Sequence, residues 1–394
     1  MNILFLDWGC FGKIDAIMTF EAMGFKVFKF AHPDYLERKS PDFIEKCTSF
    51  IKDKHISFCY SFNFYPLLAQ ACHEVGVPYI SLVYDSPQVK LYSYTIIYPE
   101  CHVYIFDRVE YEKLHCEGIS TVHYSILPVN SDVIDVMLRK PFNRSRVTCD
   151  VSFVGALYNE QHNFFDQLQG INDYTRGILE GLMESQLQIQ GYSFIEDLLA
   201  TPQMNPVMDD IKAHFHYDAE SNFGVETLEY VITQYTLARR MTSIERQRLL
   251  TAVAEKYPLK LFTLDKDAII PNAINMGITD YYGEMPLVFN KSKINLNITL
   301  RSIRSGIPLR CMDIMGNGGF LLTNFQSDLL EHFRPDEDFV YYEDQDDLVD
   351  KVGYYLKHDS KRENIARHGR ETCRKYYNFR AVLENLLKDS GIKW

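Results

Sequence analysis

The sequence predicts an α/β protein with two doubly wound parallel sheets and a helical insertion in the second. Three observations support this fold class. Short apolar segments alternate with helical periodicity in both halves of the chain, as in parallel sheets whose two faces are covered by helices. A long stretch between these alternations lacks the strand pattern. The chain has 394 residues, which is too long for one ordinary core and suits two domains.

The first domain is expected at 1–147. Its strands are continuous apolar runs, and the loops after them at 7–13, 61–65 and 85–87 matter most, because doubly wound sheets bind ligands at the carboxyl ends of their strands. Residues 128–147 are polar and contain prolines, which predicts an interdomain linker. The expected strands are Asn2–Leu6, Phe25–Phe30, Ile56–Tyr60, Tyr79–Tyr84, His102–Phe106 and Val122–Ile126.

The second domain is expected at 148–375, with a helical insertion at about 157–256 whose function the sequence does not indicate. Within the insertion, apolar residues recur at the spacing of amphipathic helices. A last helix, Phe379–Lys388, lies in the segment 376–394 that follows the second domain. The expected strands of the second sheet are Asp150–Val154, Leu259–Thr263, Lys293–Thr299, Gly319–Thr323 and Phe339–Tyr342.

Composition narrows the class of protein. The formal net charge is −12 and no run of Lys or Arg occurs, which disfavours a nucleic-acid partner. No apolar stretch reaches the length of a membrane span, so we expect neither a signal peptide nor an integral membrane segment. The nine cysteines show no Cys-x-x-Cys spacing, which indicates reduced cysteines in a cytoplasmic protein rather than disulfides or a zinc site.

The segment 281–325 carries the clearest functional pattern. A helix of about two turns is predicted between two buried strands, with Pro308 at its first position and Gly316, Gly318 and Gly319 at its end. Because a helix start directly after a strand exposes free amides, this point is a potential anion site. Arg301, Arg304 and Arg310 lie close to it in the sequence of an otherwise acidic protein.

Arg310 and Asp313 are three residues apart and share one face of this helix. Amides and guanidiniums for phosphates, with a carboxylate for ribose hydroxyls, suit a nucleoside diphosphate. An ordinary Arg310–Asp313 surface ion pair on a capped helix explains the same spacing, because short glycine motifs recur by chance.

Several motifs occur together in a recognisable order. Met285–Thr323 is followed by DLLEHFRPDEDFVYY at 328–342 and by DLVDKVGYYLKHDSKRENIARHG at 347–369. GVPYISLVYDSP at 76–87, VYIFDRVEYEKL at 103–114 and DVSFVGALY at 150–158 precede them. This set resembles the bacterial spore-maturation (CgeB-type) glycosyltransferases. The likeness covers most of the chain outside the insertion and is strongest from Met285 to Gly369.

The resemblance implies the GT-B fold: two Rossmann-like domains, with a sugar nucleotide held mainly by the C-terminal one and a final helix that returns to the first. Of the two glutamates eight positions apart in many such enzymes, the second is matched here by Asp313 and the first falls on Ser305. The lysine that commonly follows the first strand of the second domain is not evident after Gly155. The expected donor-binding residues are Arg301, Arg304, Gly306, Ile307, Arg310, Asp313, Gly318 and Gly319.

The resemblance further implies a nucleotide-diphosphate sugar as donor substrate, with no tightly bound cofactor or metal. His214, His216 and Asp218, which lie in the insertion, are interpreted as solvated side chains rather than metal ligands. For inversion of configuration a base is needed. Asp85 is the first candidate, with Asp7 and His32 as alternatives, although an aspartate before Ser-Pro also occurs in turns and helix caps. Transfer with retention requires no such base.

We therefore expect a cytoplasmic glycosyltransferase that acts on a saccharide, protein or lipid-linked acceptor. A catalytically silent binding or assembly protein on the same fold is the alternative, which Ser305 favours and which the presence of Arg310, Asp313 and the glycine turn disfavours. Another enzyme on this fold, such as a sugar-nucleotide epimerase, is a third possibility. The sequence does not predict the sugar, the nucleotide base, the acceptor or the stereochemistry.

Overall fold

The computed structural model describes residues 1–159, 165, 168, 170–215, 217 and 224–394. These residues form two units. Unit 1 contains Met1–Pro128, the short segment 224–227 and Tyr377–Trp394. Unit 2 contains the described parts of Val129–Tyr217 and of Leu228–Tyr376. Each unit is built around one six-stranded parallel sheet, which confirms the predicted fold class.

The unit 1 sheet has the strand order β2-β1-β3-β4-β5-β6, and every pairing is parallel. The central strands are almost wholly apolar because helices cover both faces of the sheet, and Ile3, Leu4, Phe5 and Leu6 are fully buried. The strands are β1 (Asn2–Leu6), β2 (Lys26–Phe30), β3 (Ile56–Phe62), β4 (Tyr79–Val83), β5 (Cys101–Ile105) and β6 (Val122–Tyr124).

Four of the five α-helices in the described part of unit 1 begin with a side-chain cap or a proline that the sequence supplies, and α1 follows Gly12 instead. Ser40 caps α2 by accepting from the Phe43 amide, and Asp107 caps α4. The helices are α1 (Lys13–Ala22), α2 (Pro41–Asp53), α3 (Pro66–Val75), α4 (Arg108–Cys116) and, from the chain end, α17 (Phe379–Asp389). Short 3₁₀ helices span Pro33–Leu36, Val89–Leu91 and Tyr94–Ile97.

The last helix, α17, is part of unit 1. Its buried face includes Phe379, whose ring lies where a Cβ on Gly12 would point, at 3.3 Å. The Tyr104 hydroxyl of β5 lies 3.0 Å from the Leu386 carbonyl, to which it donates a hydrogen bond. Residues 377–394 therefore complete the fold of the N-terminal half of the chain.

The unit 2 sheet has the strand order β12-β11-β10-β7-β8-β9, again with parallel pairings. Its core is formed by apolar side chains of the central strands, including Val151, Phe153, Ile294 and Leu296. The strands are β7 (Cys149–Val154), β8 (Leu259–Phe262), β9 (Ile274–Asn275), β10 (Ser292–Asn297), β11 (Leu321–Asn324) and β12 (Val340–Tyr342).

Helices of unit 2 cover the sheet and also form a separate helical cluster. A π-helical turn at Ile232–Leu237 joins two of them, and a 3₁₀ helix spans Pro202–Met204. The helices are α5 (Val133–Met137), α6 (Arg144–Val147), α7 (Asp173–Leu187), α8 (Ile195–Leu199), α9 (Asn205–His214), α10 (Leu228–Val231), α11 (Ala238–Ala254), α12 (Met285–Lys291), α13 (Leu309–Gly316), α14 (Ser327–His332), α15 (Gln345–Lys357) and α16 (Asp359–Tyr376).

The helical stretch at 157–256 has two parts. Helices α7 to α10 and the beginning of α11 enclose their own apolar core, which contains Leu179, Met183, Ile195 and Ile211. The second half of α11 instead packs on the sheet, where Leu250 is fully buried. Helix α11 therefore links the helical cluster to the sheet.

The segment 128–147, expected to be a linker, is different in the structure. It contains α5 and α6, and from Val129 onward it belongs to unit 2. The Arg146 side chain near the end of α6 attaches this segment to the rest of unit 2. It forms an ion pair with Glu284 at 2.5 Å and donates to the Met276 and Ile278 carbonyls. The polar composition of this segment thus serves hydrogen bonds within unit 2.

Among the described helices, none is both long enough and apolar enough to cross a membrane.

Candidate active site

The centre of the unit 2 sheet is a topological switch point. The chain leaves β7 toward β8 and β9 on one side, and returns to form β10, β11 and β12 on the other. Ligands of doubly wound sheets bind at the carboxyl ends of the two strands where the order reverses. Here those ends are Val154 and Asn297, and α13 begins on the same edge of the sheet because it follows β10.

Helix α13 has the predicted length of about two turns, but it starts one residue later than expected. Pro308 has ψ 146° and is the N-cap residue, and Leu309 is the first helical residue. At the other end, Gly318 has φ +74°, and the Gly318 and Gly319 amides donate to the Met315 and Ile314 carbonyls. This pair of bonds is a Schellman motif, which explains the glycines.

Gly319 is required by close packing. A Cβ at this position would lie 2.6 Å from the carbonyl oxygen of Phe289. We expect Gly319→Ala to lower the free energy of unfolding by about 1–3 kcal/mol, as overpacking against fixed backbone does. Gly177→Ala is the matched control, because nothing lies within 4 Å of that Cβ on helix α7. Urea denaturation of both variants tests this; an equal change in both would contradict the packing argument.

Gly318 and Gly319, predicted to bind the donor, lie at the wrong edge of the sheet for that role. Helix α13 runs from the carboxyl edge back to the amino edge, a distance of about 12 Å for its eight residues. Its C-terminal turn therefore shapes the entry into β11. Gly306 and Ile307 precede the helix at the carboxyl edge, where the Ile307 side chain is buried.

Arg301 and Arg304, the other predicted phosphate ligands, bind carboxylates of unit 2. Arg301 forms a two-bond pair with Glu245 at 2.5 and 2.8 Å and also donates to the Ile189 carbonyl. Arg304 lies 2.7 Å from Glu196 on α8. These pairs fasten the β10–α13 loop to α11 and to the helical cluster, and they give both arginines a structural role.

Arg310 differs from these two arginines. Its guanidinium contacts the Met285 sulfur at 2.8 Å and lies 5.4 Å from the centre of the Phe289 ring. Asp313 accepts a hydrogen bond from the Tyr281 hydroxyl at 3.1 Å and is buried. Within the described residues, Arg310 and Asp313 form no ion pair. The alternative explanation of their spacing, an Arg310–Asp313 surface ion pair, is therefore wrong. Arg310 has no carboxylate partner there.

Arg246 is a residue that the sequence did not indicate. It lies on α11, inside a helical pattern that gives no sign of its position in the fold. Its guanidinium donates to the Ala156 carbonyl at 2.5 Å and to the Ile298 carbonyl at 2.5 and 3.1 Å. Those carbonyls belong to the loops that follow β7 and β10, so Arg246 lies at the switch point itself.

The unit 1 sheet has its own switch point, between β1 and β3. Asp7 follows β1, Asn63 follows β3 and Asp85 follows β4 by one residue. Asn63 adopts φ +61°, and its side-chain Nδ2 donates to the Asp85 carboxylate at 2.6 Å, while its side-chain Oδ1 accepts from the Asp85 backbone amide. The structure thus brings the loops after β3 and β4 together around Asp85, whose side chain is exposed.

Asp85 is not the cap of the following helix, because Gln88 caps the 3₁₀ helix at Val89–Leu91. Asp7 has a different environment: it accepts from Lys13 at 2.8 Å and from the Gly9 amide. Burial raises its pKa, but these hydrogen bonds and the charges of Lys13 and Lys29 outweigh burial, so the pKa of Asp7 is lowered. A carboxylate held ionised in this way is a weak proton acceptor.

Aromatic rings surround Trp8 at the same edge. The Trp8 indole donates to the Phe62 carbonyl at 3.1 Å, and the Tyr35, Tyr65 and Tyr84 rings lie 6.1–6.3 Å from it. The hydrogen bond fixes the orientation of Trp8. This aromatic edge, Trp8 with Tyr35 and Tyr84, offers half-buried ring surface next to Asp7 and Asp85.

His32, the other candidate base, has partners on both ring nitrogens. Nδ1 accepts from the Asp34 amide at 3.2 Å, and Nε2 lies 2.9 Å from Asp42. His32, Asp34 and Asp42 each offer a potential metal-ligand atom, and in the described structure these three atoms lie within 4.8 Å of one another. Since the Asp34 amide already occupies Nδ1, we interpret His32 as a structural cap of the 3₁₀ helix at Pro33–Leu36.

In the insertion, His214 lies against the Asp210 carbonyl at 2.8 Å. His216 and Asp218, named with it in the sequence, lie outside the described residues.

Comparisons with known proteins add to this geometry. Residues 239–388 match the protein-family model described as glycosyl transferase-like, which spans α11 through most of α17. No curated protein sequence matches the chain significantly.

Solved structures resemble the chain over its whole length. A glycosyltransferase from Rickettsia africae ESF-5 is 10% identical, with a TM-score of 0.52 and coverage of 99% of this chain and 97% of that one. Sucrose-phosphate synthase from Thermosynechococcus elongatus is 11% identical, with a TM-score of 0.50 and coverage of 99% and 98%. The Anabaena protein HepE, in complex with UDP-glucose, is 11% identical, with a TM-score of 0.50 and coverage of 99% of both chains.

At these identities the structural likeness establishes the fold, and the family match adds the class of activity for residues 239–388. The two six-stranded parallel sheets have the GT-B fold of the glycosyltransferases that resemble this chain, and glycosyl transfer is the function that this fold and the glycosyl transferase-like segment support.

Proposed function

We propose that unit 2 binds a nucleoside diphosphate sugar and that unit 1 binds the hydroxyl-bearing acceptor to which the sugar is transferred. The observation that carries the proposal is Arg310, a guanidinium without a carboxylate partner in the described structure, one helical turn from the buried Asp313. Both side chains lie on α13, which begins at the carboxyl edge of the sheet.

Arg310 is proposed to hold the diphosphate. Its neighbours Met285 and Phe289 are apolar, so no side-chain charge in contact with it neutralises the guanidinium. A diphosphate leaving group develops negative charge as the glycosidic bond breaks, and a preorganised cation with free helix amides stabilises that charge. These groups supply the stabilisation by themselves, so we propose transfer without a tightly bound metal.

Asp313 is proposed to accept hydrogen bonds from the ribose hydroxyls. Its carboxylate is buried and accepts a hydrogen bond from the Tyr281 hydroxyl, and a carboxylate can accept several hydrogen bonds at once. A ribose diol supplies two donors. Arg310 and Asp313 together would therefore distinguish a nucleoside diphosphate from a free phosphate or a free nucleoside.

Asp85 is proposed as the base that takes the proton of the acceptor hydroxyl when the reaction inverts configuration. It is exposed at the carboxyl edge of the unit 1 sheet, and Asn63 fixes its orientation through two hydrogen bonds. Asp7 is the less suitable base because its pKa is lowered by Lys13 and the Gly9 amide against the effect of burial. The aromatic edge beside them would contact the apolar face of a sugar acceptor.

The finer assignment, a bacterial enzyme of the CgeB type, remains part of this proposal and is supported by the motifs between Met285 and Gly369. All nine cysteines are unpaired, which supports the proposed cytoplasmic location. The proposed acceptor is a saccharide, a protein or a lipid-linked molecule.

A thermal-shift screen against UDP-, GDP-, dTDP- and CDP-sugars, with and without magnesium, tests the donor site. A ligand at a hundredfold excess over its Kd stabilises the protein by about 2.7 kcal/mol. We expect one nucleotide family to raise the Tm without magnesium, and Asp313→Ala to lose that shift. UDP-sugars come first because HepE was solved with UDP-glucose. No shift with any nucleotide would contradict the proposal, and binding without hydrolysis or transfer would favour the silent binding protein.

A further inference from the structure

The arginines around the unit 2 switch point fall into two groups. Arg301, Arg304 and Arg248 each bind a carboxylate, at 2.5, 2.7 and 2.9 Å. Arg246 and Arg310 bind none within the described structure. The first three arginines are explained by their ion pairs. The other two place positive charge at the carboxyl edge of the sheet, where no carboxylate of the described residues forms an ion pair with them.

Arg246 is the more unusual of the two because it is buried. Only 8% of its surface is exposed, and its guanidinium lies 5.0 Å from the centre of the Tyr158 ring and 5.2 Å from that of Phe153. A buried cation without a carboxylate partner is costly unless another group compensates it. Carbonyl dipoles of Ala156 and Ile298 provide part of that compensation.

The charges near Arg246 have both signs. Burial lowers the pKa of Arg246, the negative charge of Glu245 opposes this, and the nearby positive charge of Arg310 lowers the pKa further. Arginine nevertheless stays protonated at any physiological pH. Two positive charges that repel one another in a low-dielectric setting are stabilised when an anion binds between or beside them.

We infer that Arg246 is a positioning residue for the donor: it joins the loops after β7 and β10 and adds a second positive charge for the diphosphate. This inference rests on the proposed function of the site.

The same hydrogen bonds of Arg246 both join the two loops and place its positive charge at the switch point. The guanidinium fork reaches Ala156 and Ile298 together, which fixes the separation of the two loops at the switch point. Gly155 packs closely there, since a Cβ would lie 3.3 Å from the Phe153 ring and 3.6 Å from the Arg246 guanidinium. The Gly155 backbone is thereby held beside the charge of Arg246.

The test compares Arg246→Met and Arg246→Lys with the control Arg248→Met, two residues along the same helix, where the exposed arginine pairs with Glu184. Calorimetry measures the affinity of each variant for inorganic pyrophosphate, for the nucleoside diphosphates UDP, GDP, dTDP and CDP, and for the corresponding nucleosides. We expect Arg246→Met to weaken diphosphate binding about 10- to 100-fold, with nucleoside affinity unchanged.

Arg246→Lys keeps the charge but loses the fork, so an intermediate loss of roughly 3- to 10-fold is expected. Arg248→Met should match the wild type. The ratio of diphosphate to nucleoside affinity is the decisive quantity, because a merely structural defect lowers both affinities together. If Arg246→Met does not fold, the ratio measured for Arg246→Lys decides the question.

The outcomes separate this inference from the proposed function. If the wild type binds a nucleoside diphosphate and both Arg246 variants keep its affinity ratio, the inference is wrong and the donor site stands. If the wild type binds neither pyrophosphate nor any of the four nucleoside diphosphates, the proposed function fails and the inference with it.

Discussion

Asp85→Asn is expected to reduce glycosyl transfer by about 10²- to 10⁴-fold, the contribution typical of a general base, while donor affinity stays unchanged. The amide is nearly the same size as the carboxylate and still accepts the hydrogen bond from Asn63. Only the ability to take a proton is lost. Steady-state kinetics with saturating donor, together with calorimetry of nucleotide binding, measures both quantities in the same protein.

Asp107→Asn is the matched control for this variant. Asp107 also follows a strand of the unit 1 sheet, but it caps α4 by accepting from the Val109 and Glu110 amides, which asparagine does equally well. Turnover of Asp107→Asn should equal that of the wild type. Normal turnover of Asp85→Asn would show that Asp85 is not the base, and would leave a retaining reaction or another base as explanations.

The strands were predictable because both sheets are buried on two faces. Continuous apolar runs such as Asn2–Leu6 identify a strand wherever the sequence patterns of the neighbouring helices and turns can also be recognised. Strand β9 has only two residues, Ile274 and Asn275, which is too short to carry any pattern. Helix α12 was missed because its sequence MPLVFNK is wholly apolar in its first turns and lacks amphipathic spacing.

The candidate site was predictable where the information is local. Pro308, the glycine turn and the three-residue spacing of Arg310 and Asp313 lie within one short segment, and the structure places the two side chains on one helix. The partners of Arg301 and Arg304 are distant in sequence, so nothing local showed that Glu245 and Glu196 bind them. Tertiary ion pairs of this kind decide which basic residues remain available for an anion.

The same limit applies to Arg246 and Asn63. The carbonyls that hold Arg246 come from Ala156 and Ile298, far from it on both sides in the sequence. Asn63 acquires its role from a left-handed backbone conformation and from a hydrogen bond to Asp85 on the next strand. Both residues lie at the carboxyl edges that fold topology identifies, so the edge was predictable while the particular side chain was not.

Arg310→Met should lower kcat by about 10²- to 10³-fold, as the loss of one preorganised group that stabilises developing charge does. Methionine keeps the apolar packing against Met285 and Phe289 and removes only the cation. Arg334→Met is the control, because that arginine is exposed and its ion pair in the described part of the chain is with Glu337 at 3.4 Å. Since a leaving diphosphate carries more charge in the transition state than in the bound sugar nucleotide, kcat should fall more than donor affinity does. If donor affinity alone fell, Arg310 would bind the substrate without assisting the departure of the diphosphate.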